Sequence, residues 1–128
     1  MQLGPHNGWT LTMRFRQALA ELANKEDLGC EVTHRADPQY PHLLFRNLHH
    51  LSVFSHAVCA LKKLQLRARL HRAEEYASLD RSGLTVPVVW HQRGEEEPTG
   101  TLLAEDLFWL LGLAEQALAM EAVSEEET

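Results

Sequence analysis

The stretch KKLQLRARLHRAEEYASLDRSGLTVPVVW, Lys62 to Trp90, decides the fold class. Leu66, Leu70, Ala73 and Ala77 fall at i, i+4, i+7 and i+11, one face of a helix. Leu64, Leu66, Ala68 and Leu70 also alternate as a strand would. The following Ala73-Glu74-Glu75-Tyr76-Ala77 has high helix propensity and no β-branched residue, which decides for a helix from Lys62 to about Asp80, ended near Gly83. Val86-Pro87-Val88-Val89-Trp90 is a near-continuous apolar run, the mark of a strand covered on both faces. Pro87 lacks an N–H and is expected at the strand's start or on an exposed-edge position.

Upstream, Leu11, Phe15, Ala18, Leu19 and Leu22 share one helical face, with Thr10 or Thr12 as N-cap and Gly29 as the stop after Leu28. Cys30 to His34 reads as a short strand. Asp37-Pro38 and Tyr40-Pro41 break regular structure. Leu43–Leu48 and Leu51–Leu61, parted by Asn47 to His50, read as two strands of a hairpin or meander. Downstream, Arg93 to Gly100 is a hairpin loop returning through Thr101-Leu102-Leu103. Leu107, Leu110, Leu111, Ala114 and Leu118 then give the core-facing stripe of a last helix. The order is helix, three strands, helix, strand, short strand, helix. The simplest architecture that buries these faces is α/β, a mixed central sheet flanked by helices. A single domain over residues 10–121 is expected, with a flexible leader at 1–9 and an acidic tail at 122–128.

With 128 residues the chain has room for one core rather than two. No apolar run reaches the roughly 18 residues of a membrane span, and Met1 to Trp9 lacks the basic and apolar regions of a secretory signal. Two cysteines, Cys30 and Cys59, are too few for a disulfide scaffold, so a reducing, cytoplasmic setting is expected.

Charge is segregated. Asp37 and Glu74 are consecutive acids, and the stretch between them holds Arg46, Lys62, Lys63, Arg67, Arg69 and Arg72. That stretch is formally +6 within a chain of net −6, which leaves −12 for the rest. A basic middle in an acidic chain suits a polyanion, with Lys62, Lys63, Arg67, Arg69 and Arg72 as candidate nucleic-acid contacts. The alternative is a basic surface helix neutralised by acids of its own domain.

Two strings carry a family resemblance: RLHRAEEYASLDRSGLTVPVVWHQRGEEEPTGTLLAEDLFWLL, Arg69 to Leu111, and HAVCALKKL, His56 to Leu64. With the element order, they resemble the PD-(D/E)xK nuclease fold, in particular the small Holliday-junction-resolvase-like endonucleases of phage and mobile elements. That resemblance implies a core of helix, three strands, helix and strand. It also implies a site where an Asp and a Glu hold divalent cations and a Lys two residues beyond the Glu orients the attacking water. The corresponding positions are Asn47 for the Asp, Val58 for the Glu and Ala60 for the Lys, so the motif is degenerate. Glu21, Glu31 and Asp37 are the carboxylates left for a rearranged, magnesium-dependent site, with Lys62 or Lys63 in the lysine's place.

The resemblance thus implies a catalytically inactive nuclease-like domain that associates with DNA or with a DNA-processing complex, without a cofactor. The alternatives are a protein-interaction or structural subunit, such as a phage-encoded regulator, and the rearranged endonuclease. His49, His50 and His56, with His42 nearby, fit no standard zinc spacing, and Cys59 lies in an apolar strand where a thiolate is disfavoured. Phe108 and Trp109 fall outside the last helix's expected core stripe. They are candidates for a protein or homodimer contact, or for packing against Trp9 and the leader.

Overall fold

The computed structural model describes residues 7–34, 39–59, 63–79, 85–94 and 96–127. Its elements are α1 (Asn7–Asn24), β1 (Cys30–Val32), β2 (Leu43–Phe45), β3 (Ser52–Cys59), α2 (Lys63–Ala77), β4 (Thr85–Gln92), β5 (Thr99–Thr101) and α3 (Ala104–Glu127). The strands form one sheet in the order β1-β2-β3-β4-β5. β3 and β4 are parallel, joined by the crossover through α2, and every other pair is antiparallel. The fold is therefore α/β, with a mixed five-stranded sheet and the expected order of elements.

Strand alternation explains why both faces are covered. From β3, Ala57 joins Phe15, Leu19 and Ala20 of α1 and Leu43 of β2 on one face. Phe54 joins Leu70, Ala73 and Ala77 of α2 and Val89 of β4 on the other, with Leu66 packed against them. The expected helical stripe Leu66, Leu70, Ala73 and Ala77 is thus the buried face of α2. Val86 to Val89 are all buried, as an apolar strand between two layers requires. Pro87 lies in the half of β4 that β5 does not flank, because β5 pairs only with Val89 to His91. A missing N–H is tolerated there.

Three boundaries depart from the sequence reading. α1 begins at Asn7, inside the stretch read as leader, so Thr10 and Thr12 stand within the helix rather than capping it. Asn7 and Gly8 are residue types favoured at helix N-termini. α1 ends at Asn24, not Leu28, because Lys25, Glu26 and Asp27 close tight turns onto Leu22, Ala23 and Asn24 and Asp27 takes φ 56°. The Asn24 side chain then accepts from Cys30 N–H at 2.6 Å and donates to Cys30 C=O at 3.0 Å, tying the helix end to β1.

The third departure is α3. It runs to Glu127 through the stretch read as an acidic tail. Leu107, Leu111 and Leu118 of its expected core stripe are exposed, as is Ala114, and α3 makes only marginal contact with the other elements. From Leu107 to Ala114 every residue is apolar, so no single stripe is marked out for burial.

Candidate functional site

β3 outruns its neighbour. β2 pairs with it at Leu43–Ser55, and beyond Ser55 only β4 continues alongside. The edge of β3 facing β2 would therefore expose backbone groups at Ala57, an unpaired edge of the kind proteins close off. Two side chains close it. Nδ1 of His42 accepts the Ala57 N–H at 2.9 Å, and Nε of Arg16, reaching from α1, donates to the Ala57 carbonyl at 2.9 Å.

The His42 ring stacks on buried His56, with centroids 4.7 Å apart and planes 20° from parallel; Phe54 and Tyr76 stand beside His56. Burial pushes the His42 pKa down to about 3; the neighbouring Arg16, the stacked His56 ring and Arg69 push the same way, against the hydrogen bond to Ala57. An Nδ1 that accepts an N–H must be unprotonated, so His42 is neutral with its proton on Nε2. Arg16 is itself lowered from its ordinary value, first by burial; Cys59 opposes this, and Arg69 adds to it. Arg16 and Arg69, from helices on opposite faces of the sheet, thus feel each other around the end of β3.

A cleft of about 430 Å³ opens at that end. Thr12 of α1, Val58 and Cys59 of β3, and Gln65, Ala68, Arg69 and Arg72 of α2 line it. The α2 residues fall at i, i+3, i+4 and i+7, a single helical stripe beside the buried one. No carboxylate is among the described residues that line it. The first turn of α2 holds no acid either, so the partial positive charge of a helix N-terminus adds to the arginines. Open α/β sheets characteristically bind ligands beyond the carboxyl ends of their strands, and this cleft lies beyond the carboxyl end of β3. Its residues can hold an anion by charge-assisted hydrogen bonds.

The structure divides the sequence-derived cations. Arg69 and Arg72 share the cleft. Arg67 is exposed on the opposite flank of α2, in the stripe of His71 and Glu74, which pair with each other at 3.1 Å. Lys62 lies outside the described residues, as does the side chain of Lys63. Arg46, at the far end of β2, pairs with Glu31 at 2.7 Å. Arg16 lies outside the acid-free stretch, so charge segregation along the sequence does not point to it. Its place one residue after core-facing Phe15 and four after Thr12 is the signal that puts it at the edge of the helix–sheet interface.

The positions matched to nuclease ligands do not come together. Val58 lines the cleft, whereas Asn47 stands at the opposite end of β3, roughly 20 Å away by strand rise. There Asn47 donates through Nδ2 to the Asp27 carbonyl at 2.7 Å and through its N–H to the Leu28 carbonyl at 3.2 Å. The same side chain packs against Gly29, where φ is +61° and an added Cβ would lie 3.0 Å from it. Glu21 is exposed on α1, Glu31 is held by Arg46, and Ala60 and Asp37 lie outside the described residues. His49 and His50 are exposed after β2, far along the strand from the stacked His42 and His56. Among the described residues no group of three His, Cys, Asp or Glu side chains is placed to hold a metal ion.

Both cysteines are free thiols. Burial pushes Cys30 up to about 11, with Glu31 adding to it. Burial also raises Cys59, against the opposing pull of a Thr12 hydrogen bond and Arg16. No helix among the described residues is long and apolar enough to cross a membrane. No family model, curated protein or solved structure matches the chain.

Proposed function

We propose that this domain binds the phosphate backbone of a nucleic acid at the end of β3 and leaves it uncleaved. One observation carries the reading: Arg16, Arg69 and Arg72 stand in or beside one cleft that no described carboxylate lines. Phosphate contacts need placed cations and no metal-binding acids. The order helix, three strands, helix, strand supports keeping the nuclease-like comparison, with the domain as a binding module on DNA or within a DNA-processing complex. Two unpaired thiols suit a reducing compartment such as the cytoplasm. No observation favours the rearranged magnesium site over this reading, since Glu21 is exposed and Glu31 is already ion-paired.

The test is binding of single-stranded, duplex and branched DNA, followed by fluorescence anisotropy, beside incubation of the same DNA with magnesium and with manganese. The reading expects association without product, strongly weakened in Arg69→Glu/Arg72→Glu and largely kept in Arg67→Glu. Equal loss in both variants, or no association at low salt, contradicts it. Cleavage abolished by Glu21→Ala or Asp37→Ala would establish the rearranged endonuclease instead.

A further inference from the structure

We propose that the chain forms a two-fold symmetric dimer in which the α3 helices of two copies cross antiparallel near Leu111 and Gly112, each lying along the apolar groove of the other copy. This is independent of the nucleic-acid reading. The first observation is α3 itself. Phe108 is 68% exposed, Leu118 61% and Met120 73%, yet the helix is apolar around its whole circumference from Leu107 to Ala114. Such a helix is normally covered on more than one side.

The second observation is a groove of about 580 Å³ on the α1 face of the sheet, walled by Leu19, Leu22, Val53, Val88 and Trp90, with Glu26 its one charged lining residue. Leu107 and Leu110 form part of its lining, so the bare helix and the unfilled groove are continuous. A chain that carries a knob and a matching hole on one contiguous patch is self-complementary, which is the condition for an isologous two-fold contact.

Charge selects the direction. The described side chains of α3 include Glu105, Asp106, Glu115 and Glu121, and the helix contains no Lys, Arg or His. Parallel pairing would set Glu115 against Glu115 and Glu121 against Glu121. Antiparallel pairing centred near Leu111 sets Glu115 opposite Leu107 and Asp106 opposite Gln116. It also carries the partner's Leu113 and Leu118 past Leu107 and Leu110 into the groove. Gly112 falls at the crossing. A Cβ there would meet nothing within 4 Å inside the protomer, so the chain's own packing gives no reason for a helix-weakening glycine. Close approach of a second helix does.

Area selects a second copy over a single inserted helix. A 24-residue helix is ~36 Å long and ~10 Å wide, so one face of the arm offers roughly 350 Å², and the groove, whose walls Leu19 and Val88 are already buried, offers about half of that. One arm in one groove is the size of an incidental contact. Reciprocal exchange gives each copy an arm and a groove, roughly 500 Å² per copy and about 1,000 Å² in all, the size a specific interface must reach.

Sedimentation equilibrium of the full chain over an on the order of 100-fold concentration range should give twice the monomer mass, falling to monomer on dilution. Leu113→Glu/Leu118→Glu, at positions exposed in the protomer, should raise the dissociation constant by at least about 100-fold with the far-ultraviolet circular dichroism of the folded chain retained. Gly112→Ala cannot weaken the helix, and it should raise the dissociation constant about 10-fold by filling the crossing. Leu107→Cys/Glu115→Cys should oxidise to a covalent dimer, while Leu107→Cys alone should not. A chain that stays monomeric throughout, or pairs only with a different protein, overturns the proposal. So does a dimer that is unmoved by the Leu113/Leu118 variant, or one that fails to cross-link between positions 107 and 115.

Discussion

α2 and α3 are both amphiphilic on paper, and they meet opposite fates. α2 buries Leu70, Ala73 and Ala77 against Phe54 and Val89 and turns its arginines outward, two of them into the cleft at the end of β3. α3 carries more apolar side chains and buries almost none of them within its own chain. The difference lies in distribution rather than amount. In α2 the cations confine the apolar residues to one stripe, and one stripe fits one sheet face. In α3 no charge interrupts Leu107 to Ala114, so the sequence provides more apolar surface than one sheet face can cover. One helix completes the fold and offers charge; the other offers apolar surface.

The sharpest way to break that contrast is to make the same substitution in both regions. Val89 is 0% exposed beneath α2, and Val89→Asp should abolish the cooperative urea transition, a cost above about 4 kcal/mol for a buried unpaired charge. Val123 on α3 is 54% exposed, and Val123→Asp should shift the transition of the dilute protein by less than about 1 kcal/mol. Comparable losses at the two sites would mean that α3 is part of the protomer's core.

His42 tests the cleft end of β3 through pH. Its pKa is about 3 in the folded chain and 6.5 as an ordinary imidazole, so as pH falls the unfolded state takes up the proton first. The stability it contributes is complete above about pH 6.5 and is lost as pH falls from there toward about 3. Across that window the wild type should lose on the order of a few kcal/mol more than His42→Asn, read as the difference between their thermal midpoints at pH 7 and pH 4. Parallel pH profiles would show that the ring is not held neutral at Ala57.

Gly100 tests the wall of the apolar groove. A Cβ there would lie 2.7 Å from the Trp90 ring, whose Nε1 donates to Ser55 Oγ at 3.0 Å. The ring cannot yield without stretching that bond. Gly100→Ala should cost about 1–3 kcal/mol and alter tryptophan emission, whereas Gly94→Ser, with no atom within 4 Å of an added Cβ, should leave the emission unchanged.

Much of this architecture was legible in the residues. Val86 to Trp90 announced a doubly covered strand, and Leu66, Leu70, Ala73 and Ala77 announced the face that covers it, because burial there is set by local period. The end of α1 was less legible. Leu28 extends the apolar pattern past Asn24, but the left-handed turn at Asp27 and the Asn24–Cys30 hydrogen bonds stop the helix first. The stripe of α3 was illegible for the opposite reason, since an all-round apolar helix satisfies every template equally. At the candidate site, acid-free spacing pointed to Arg69 and Arg72. It grouped them with Arg67, which helical geometry sends to the other flank. Arg16 is distant in sequence and reaches the site only because β3 outruns β2, a fact of strand pairing that no local pattern carries.

The most direct measurement is the salt dependence of DNA affinity. Three phosphates neutralised by Arg16, Arg69 and Arg72 give a log–log slope of roughly −3, and Arg69→Glu/Arg72→Glu should flatten it by about 2 while Arg67→Glu leaves it nearly unchanged. A slope near zero in the wild type, or one that Arg67→Glu flattens as much as the cleft variant does, would contradict a phosphate-binding cleft at the end of β3.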